Sequence, residues 1–252
     1  MLINQISYSS ISYIKPKEVI NIPKRIVYVI FICIVIMIMP LNPAIAETGN
    51  ENFQEYGFSG DLVEWVSNDR DYEWYEDQGT TGYLGYNNCG ASVATMATKW
   101  YDESFTKTGE DARNTYFLNG GWWYTTTIVQ YLTDNKVANY YDYYNYDKEQ
   151  IKKIINDQKI FILCIDGFYL DYSTDCMSVI GRFYSPSTGH FILIKGYVET
   201  TDNFYLETYD PYSMGQIGIN EEYSGKIRYY TLNNINEAVK NRWEYMIVIS
   251  KE

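Results

Sequence analysis

Asn87-Asn88-Cys89-Gly90-Ala91-Ser92-Val93-Ala94-Thr95-Met96-Ala97-Thr98-Lys99-Trp100 reads as a loop that turns into a helix. Val93, Met96, Ala97 and Trp100 recur at i, i+3, i+4 and i+7, one stripe of a 3.6-residue period. Cys89 falls where that helix begins. A helix start has unpaired N–H groups and a partial positive charge, and both favour thiolate over thiol. The position therefore lowers the Cys89 pKa, and the thiolate is the nucleophilic form. Gly90 lets the backbone turn tightly and leaves the sulfur open to a substrate. On this stretch alone, a small buried cysteine near a helix end is the simpler reading. Residues about a hundred positions further on change that balance.

There, Gly189-His190-Phe191-Ile192-Leu193-Ile194-Lys195-Gly196-Tyr197 is a strand with His190 at its entrance. Glu199-Thr200-Thr201-Asp202-Asn203 is a turn, and Phe204-Tyr205-Leu206-Glu207-Thr208-Tyr209-Asp210 is the returning strand, stopped by Pro211. With the turn centred at 200 or 201, His190 and Asp210 have even parity across the hairpin. Their side chains then share a face, as direct or diagonal neighbours. A carboxylate beside an imidazole fixes its tautomer and stabilises its cation. Taken singly, His190 is a core histidine and Asp210-Pro211 a strand end. Taken together, with a helix-start cysteine upstream, they form a candidate Cys–His–Asp constellation.

The remaining segments supply the scaffold. Lys159 to Asp166 is a continuous apolar strand, buried on both faces because it lacks alternation. Asp147 and Gln150 read as a capping box that opens a helix over 148–157. Helices are expected over 108–117 and 121–135, divided by Asn119-Gly120-Gly121. Residues 139–146 are a tyrosine-rich strand, Lys226 to Leu232 and Tyr245 to Ser250 are strands, and 233–241 is a helix between those two. Asp61-Leu62-Val63-Glu64-Trp65-Val66 reads as a short helix. A helical first half and an antiparallel sheet in the second make an α+β layout, with the site where the Cys89 helix meets the sheet. The loops at 103–120 and 166–188 are the segments that would line a substrate site.

Composition narrows the class. Apolar residues make up 46 % of the 252, too many for a disordered chain. A net charge of -12 argues against a nucleic-acid partner, because phosphate backbones select basic patches. The single histidine and the absence of a Cys-x-x-Cys pair exclude a His-rich or zinc-cluster metal site. Frequent Ile, Asn, Tyr and Lys match an AT-rich bacterial genome. Lys24-Arg25, the apolar run Ile26 to Met39, Pro40 and Ala44-Ile45-Ala46 have the order of a secretory signal cleaved after Ala46. The run is shorter than the roughly 20 apolar residues of a stable membrane span. Removing 1–46 leaves 206 residues with a charge near -15. The expected organisation is an N-terminal extension and signal over 1–46, an acidic segment over 47–77, and one domain over 78–252. The segment over 47–77 is either an ordinary first element or a pro-segment. Cys89, Cys164 and Cys176 remain. Either Cys164 and Cys176 pair and leave Cys89 free, or all three are thiols.

Asn88-Cys89-Gly90-Ala91-Ser92, then Gly189-His190 through Gly196-Tyr197, then Asp210-Pro211-Tyr212 resemble, in order, the C39-like branch of the papain-like cysteine peptidases. The resemblance spans roughly 78–215. It implies the papain-like α+β fold, with Cys89 as nucleophile, His190 as general base and acid, and Asp210 as the orienting carboxylate. It also implies a glutamine upstream of the cysteine that donates to the oxyanion. Gln78 is that candidate, at a longer spacing than the family's usual one, with Asn87 or Asn88 as substitutes. Ala91 stands where the family commonly has proline, and Tyr209 where it commonly has asparagine. No cofactor and no metal are implied. The partner is a peptide or protein substrate, met outside the cell or at its surface. The same Cys–His–Asp set also serves acyltransferases of transglutaminase or transpeptidase type, and a secreted binding module can keep the scaffold without the chemistry.

Overall fold

The structure, a computed structural model, describes residues 50–174 and 178–251. The predicted signal over 1–46 lies outside them. So does Cys176, while Cys164 is a buried free thiol. In chain order the elements are α1 (Asn50–Glu55), β1 (Leu62–Ser67), short 3-10 turns at Gln78–Thr80 and Gly85–Asn87, and α2 (Cys89–Tyr101). Then come α3 (Gly109–Thr115), α4 (Thr125–Asp134), β2 (Asn139–Tyr143), α5 (Lys148–Asn156) and β3 (Lys159–Asp166). The hairpin β4 (Thr188–Thr200) and β5 (Phe204–Tyr209) follows, then β6 (Arg228–Thr231), α6 (Leu232–Lys240) and β7 (Tyr245–Ser250).

One antiparallel sheet runs in the order β2-β7-β3-β4-β5-β6. Its longest strand is β4, which has more ladder groups than β3 can pair. β3 occupies the edge of β4 up to Ile194, and β1 pairs with Gly196 to Thr200. This overturns the short helix expected at 61–66. A six-residue helix is a poor nucleus in water, whereas the free stretch of β4 offers the β4-facing backbone groups of β1 a ladder of partners.

β3 is buried on both faces, as its unbroken apolar run requires. Ile160, Ile162 and Cys164 join Phe191, Leu193, Ile247 and Ile249 in one core, against α2 and α4. Phe161, Leu163 and Ile165 join Ile192, Ile194, Met246 and Val248 in the other. That second core is closed by Ile151, Ile154 and Ile155 of α5 and by Ile235, Ala238 and Val239 of α6. The molecule is thus α+β, a sheet between two helical layers. On α2 the outcome is broader than the predicted stripe, because every residue from Cys89 to Thr98, and Trp100, is buried. A helix sheathed on all sides holds its first residue rigidly. Gln150 also departs from expectation. It accepts from the Asn145 N–H and donates to the Tyr143 carbonyl, while Asp147 alone caps α5 through the Glu149 N–H.

Candidate active site

The hairpin sets the site's geometry through a bulge. From its turn inward, Glu199 pairs with Phe204, Val198 with Tyr205, Tyr197 with Leu206 and Gly196 with Glu207. These pairs centre the turn between Thr201 and Asp202, not at 200 or 201, and their parity is odd. Continued unbroken, that register would place His190 and Asp210 on opposite faces. Lys195 is an extra residue, and pairing resumes at Ile194 with Thr208 and Leu193 with Tyr209. The bulge restores even parity and makes His190 and Asp210 diagonal neighbours. Gly196 permits it. A Cβ there would collide with the Glu207 carboxylate and sit 2.5 Å from the Val66 carbonyl oxygen. Without one, the Lys195 ammonium reaches both Glu207 and Asp69, the latter at 2.7 Å.

Asp210 is fully buried and its carboxylate meets four donors. Oδ1 accepts from His190 Nε2 at 2.8 Å and from the Tyr212 N–H at 3.0 Å. Oδ2 accepts from the Tyr184 hydroxyl at 2.7 Å and the Tyr230 hydroxyl at 2.6 Å. Its backbone is held as well, since its N–H donates to the Gly225 carbonyl at 2.9 Å and its carbonyl accepts from the Tyr75 hydroxyl at 2.8 Å. Burial works against the Asp210 charge, but the imidazole and the two hydroxyls prevail and keep its pKa below the ordinary carboxylate value. Tyr184 and Tyr230 escape sequence reasoning. Tyr230 shares the Asp210 face only once its pairing with Leu206 is known, and Tyr184 comes from the irregular segment before β4.

Cys89 opens α2 and is buried. The His190 imidazole and the backbone N–H groups of Phe191 and Gly90 lie where they favour a charge on its sulfur. Because Nε2 faces Asp210, Nδ1 is the nitrogen left for the sulfur. Burial raises the thiol pKa, yet the imidazole and these N–H groups outweigh it and the pKa is lowered. Burial likewise opposes charge on His190, but Asp210 and then Cys89 overcome it, and the pKa is pushed up to about 10. The arrangement favours an imidazolium–thiolate pair.

Gly90 acts differently from its predicted part in a tight turn. A Cβ there would lie 2.5 Å from Trp123 Cβ, so the glycine admits an indole against the helix start. Buried Arg113 holds the approach to Cys89. Its guanidinium donates to Asn88 Oδ1 at 2.6 Å and to the carbonyls of Asn87 and Gly121 at 2.9 Å, and its charge is felt at the thiol. Asn88 is used up in this scaffold, because its amide also donates to the Thr81 carbonyl and hydroxyl.

Gln78 is buried in the first 3-10 turn. Its amide nitrogen donates to the Gly85 carbonyl at 2.9 Å, and its Oε1 has no partner. The turn is stitched to the segment after Asp210. The Gln78 N–H donates to the Pro211 carbonyl at 2.8 Å, and the buried Asp77 carboxylate accepts from the N–H groups of Gly79, Met214 and Gly215. Asp77 was not marked by any sequence pattern. Chemically, the cluster offers an activated sulfur, a proton carrier beside it and an orienting carboxylate. Among the described residues no group of three or more His, Cys, Asp or Glu side chains is placed to hold a metal ion.

No protein-family model and no curated protein matches the chain. Among solved structures, it is similar to a candidate C39-like peptidase from Bacillus anthracis, at 11 % identity and a TM-score of 0.50, over 75 % of this chain and 99 % of that one. It also aligns with digestive procathepsin L 3 of the Tenebrio molitor larval midgut, at 13 % identity and a TM-score of 0.43, over 80 % of this chain and 79 % of that one. At 11 % identity the likeness to the first of these speaks to the fold alone, which is the α+β fold of the papain-like cysteine peptidases.

Proposed function

We propose that this chain is a secreted cysteine peptidase that hydrolyses peptide or amide bonds through Cys89, His190 and Asp210. The observation that carries this reading is the buried Cys89–His190–Asp210 relay, with the imidazole Nε2 2.8 Å from Asp210. In the proposed reaction the Cys89 thiolate attacks the substrate carbonyl carbon and forms a C–S bond. The helix-start N–H of Cys89 donates to the oxyanion, and the Gln78 amide joins it by exchanging its longer bond, 3.4 Å to the Tyr86 carbonyl, for the substrate oxygen. As the tetrahedral species collapses, the C–N bond breaks and the imidazolium gives its proton to the departing amine. His190, now neutral, takes a proton from water. The resulting hydroxide equivalent attacks the thioester, releasing the carboxylic acid and restoring the ion pair. Asp210 stays ionised throughout and holds the ring in position.

The export-like order of Lys24-Arg25, the apolar run and Ala44-Ile45-Ala46 supports a place outside the cell. No helix among the described residues is long and apolar enough to cross a membrane.

The direct test is the pH dependence of Cys89 alkylation by iodoacetamide, followed by mass spectrometry, next to a His190→Ala control and a screen of peptide hydrolysis. The expected result is an apparent pKa well below that of a free thiol, lost in the control, together with peptide cleavage. An ordinary thiol indifferent to His190 would sink the proposal. Adding an amine acceptor separates hydrolysis from acyl transfer by its products.

A further inference from the structure

A groove of about 540 Å³ lies next to the start of α2, and its lining includes Trp122, Tyr124, Phe191, Arg242, Trp243 and the buried Cys164. Cys89 and His190 do not themselves line it, but residues of its walls neighbour them. The Phe191 N–H favours the Cys89 thiolate, Trp123 in the same wall rests on Gly90, and Gly189 in its lining immediately precedes His190. The walls are aromatic, and Trp122 and Tyr124 are 57 % and 62 % exposed.

Arg242 is the one charged group in this lining. It lies in the turn between α6 and β7, and its guanidinium is laid over Gly189. A Cβ on that glycine would come within 2.5 Å of Nη2 and 2.9 Å of Cζ. Gly189 has a φ of +74°, a conformation that side chains other than glycine's rarely adopt, so the bare surface under the guanidinium is built into the backbone. The guanidinium touches the Cys164 thiol, and among the described residues no carboxylate pairs with it. Arg70, Arg113, Arg182 and Arg228 also have no carboxylate partner, but each donates to backbone carbonyls or to an asparagine oxygen, whereas Arg242 has no oxygen acceptor among the described residues. A guanidinium with no oxygen acceptor of its own, in a groove that adjoins the start of α2, is a vacancy for an anion from outside.

We infer that this groove binds an acidic side chain, glutamate or aspartate, of the peptide whose carbonyl Cys89 attacks, and that Arg242 determines this specificity. The inference rests on the peptidase reading above. A guanidinium offers paired N–H donors that match a carboxylate, and indole and phenol walls cover the methylene groups that carry it. The walls also displace water and strengthen the ion pair. The chain's overall negative charge does not oppose this at close range, since exposed charges beyond about 8 Å are largely screened at physiological salt.

The test uses the full-length chain and short peptidyl vinyl sulfones, to which a thiolate adds at the alkene carbon with transfer of a proton to the neighbouring carbon. The probes carry Glu, Leu, Trp or Lys at each of the two positions before the reactive group. The rate of Cys89 labelling is read by mass spectrometry and normalised to iodoacetamide labelling of the same variant. The expected result is a Glu probe that labels about ten-fold faster than the Leu probe, a ratio diminished in Arg242→Gln and reversed in favour of Lys in Arg242→Glu. Fastest labelling by Leu or Trp, a ranking unchanged in Arg242→Glu, or no labelling by any probe while iodoacetamide still reacts would each overturn the assignment. Hydrolysis of the matching Glu peptide is measured separately. Labelling with the Arg242-dependent preference but without hydrolysis defeats the peptidase reading and leaves the groove's specificity standing. Hydrolysis without that preference does the reverse.

Discussion

At the scale of single residues, the chemistry of the site depends on how Asp210 is held. Two tyrosine hydroxyls share its Oδ2 while the imidazole takes Oδ1. Replacing Tyr184 or Tyr230 with Phe leaves part of a buried carboxylate without a donor. Each change is expected to cost about 1.5–3 kcal/mol of stability in chemical denaturation, because a hydrogen bond to a charged group is lost. Both act on one oxygen, so the double variant is expected to depart from the sum of the singles. Cys89→Ala is expected to abolish peptide hydrolysis while the circular dichroism spectrum keeps its wild-type form. Gln78→Ala tests the oxyanion role. A loss of about 100- to 1000-fold in kcat with KM little changed supports it, whereas an unchanged kcat assigns Gln78 to the scaffold. Cys89, His190 and Asp210 were legible as candidates because each sits at a recognisable boundary, a helix start, a strand entrance and a strand end. Tyr184, Arg113 and Asp77 were not, since they act through loop contacts that no periodicity encodes.

At the scale of elements, the β4–β5 hairpin decides whether the imidazole and the carboxylate share a face. Lys195 changes the parity of the ladder, and the extra residue is stable because its ammonium lies against Glu207 and Asp69 and because Gly196 has no side chain. Gly196→Ala is therefore expected to destabilise the fold by about 1–3 kcal/mol, the ordinary range for forcing volume into a filled site. It should also slow Cys89 alkylation at neutral pH, because the strand must shift where it positions His190. Loss of stability with unchanged alkylation kinetics would show that the bulge and the site are uncoupled. β1 teaches a related lesson. Its sequence tolerates a helix, and only the unfilled edge of β4 draws it into the sheet.

At the scale of the whole molecule, the Cys89–His190 pair shapes how stability responds to pH. His190, raised from 6.5 to about 10, contributes stability that is complete below 6.5 and lost as the pH rises through about 10. Cys89, lowered from 9.0, contributes stability that is complete above 9.0 and lost as the pH falls through its lowered value. Below 9.0, and above both 6.5 and the lowered Cys89 value, the two slopes oppose each other, because folding there moves a proton from thiol to imidazole with no net uptake. The unfolding midpoint is thus expected to be level across that interval, apart from other groups, and to fall toward higher pH beyond it. In Cys89→Ala the His190 slope stands alone, and the midpoint should decline as the pH rises above 6.5. A wild-type midpoint that tracks the Cys89→Ala curve throughout would contradict the ion pair.

The amino-acid sequence by itself determined the local elements whose periodicity is strong: the helix that starts at Cys89, the doubly buried strand at 159–166, the hairpin that returns at Pro211 and the final strand at 245–250. It also marked the residues that stand at the boundaries of those elements. Only the tertiary structure decided the register of the hairpin, the strand character of 62–67, the four donors around Asp210 and the groove under Arg242. The physical reason is separation along the chain. Helical stripes and apolar runs are interactions between near neighbours and leave a repeat in the sequence. A bulge, a capped carboxylate or an unpaired guanidinium depends on groups brought together from distant segments, and such contacts leave no repeat to read.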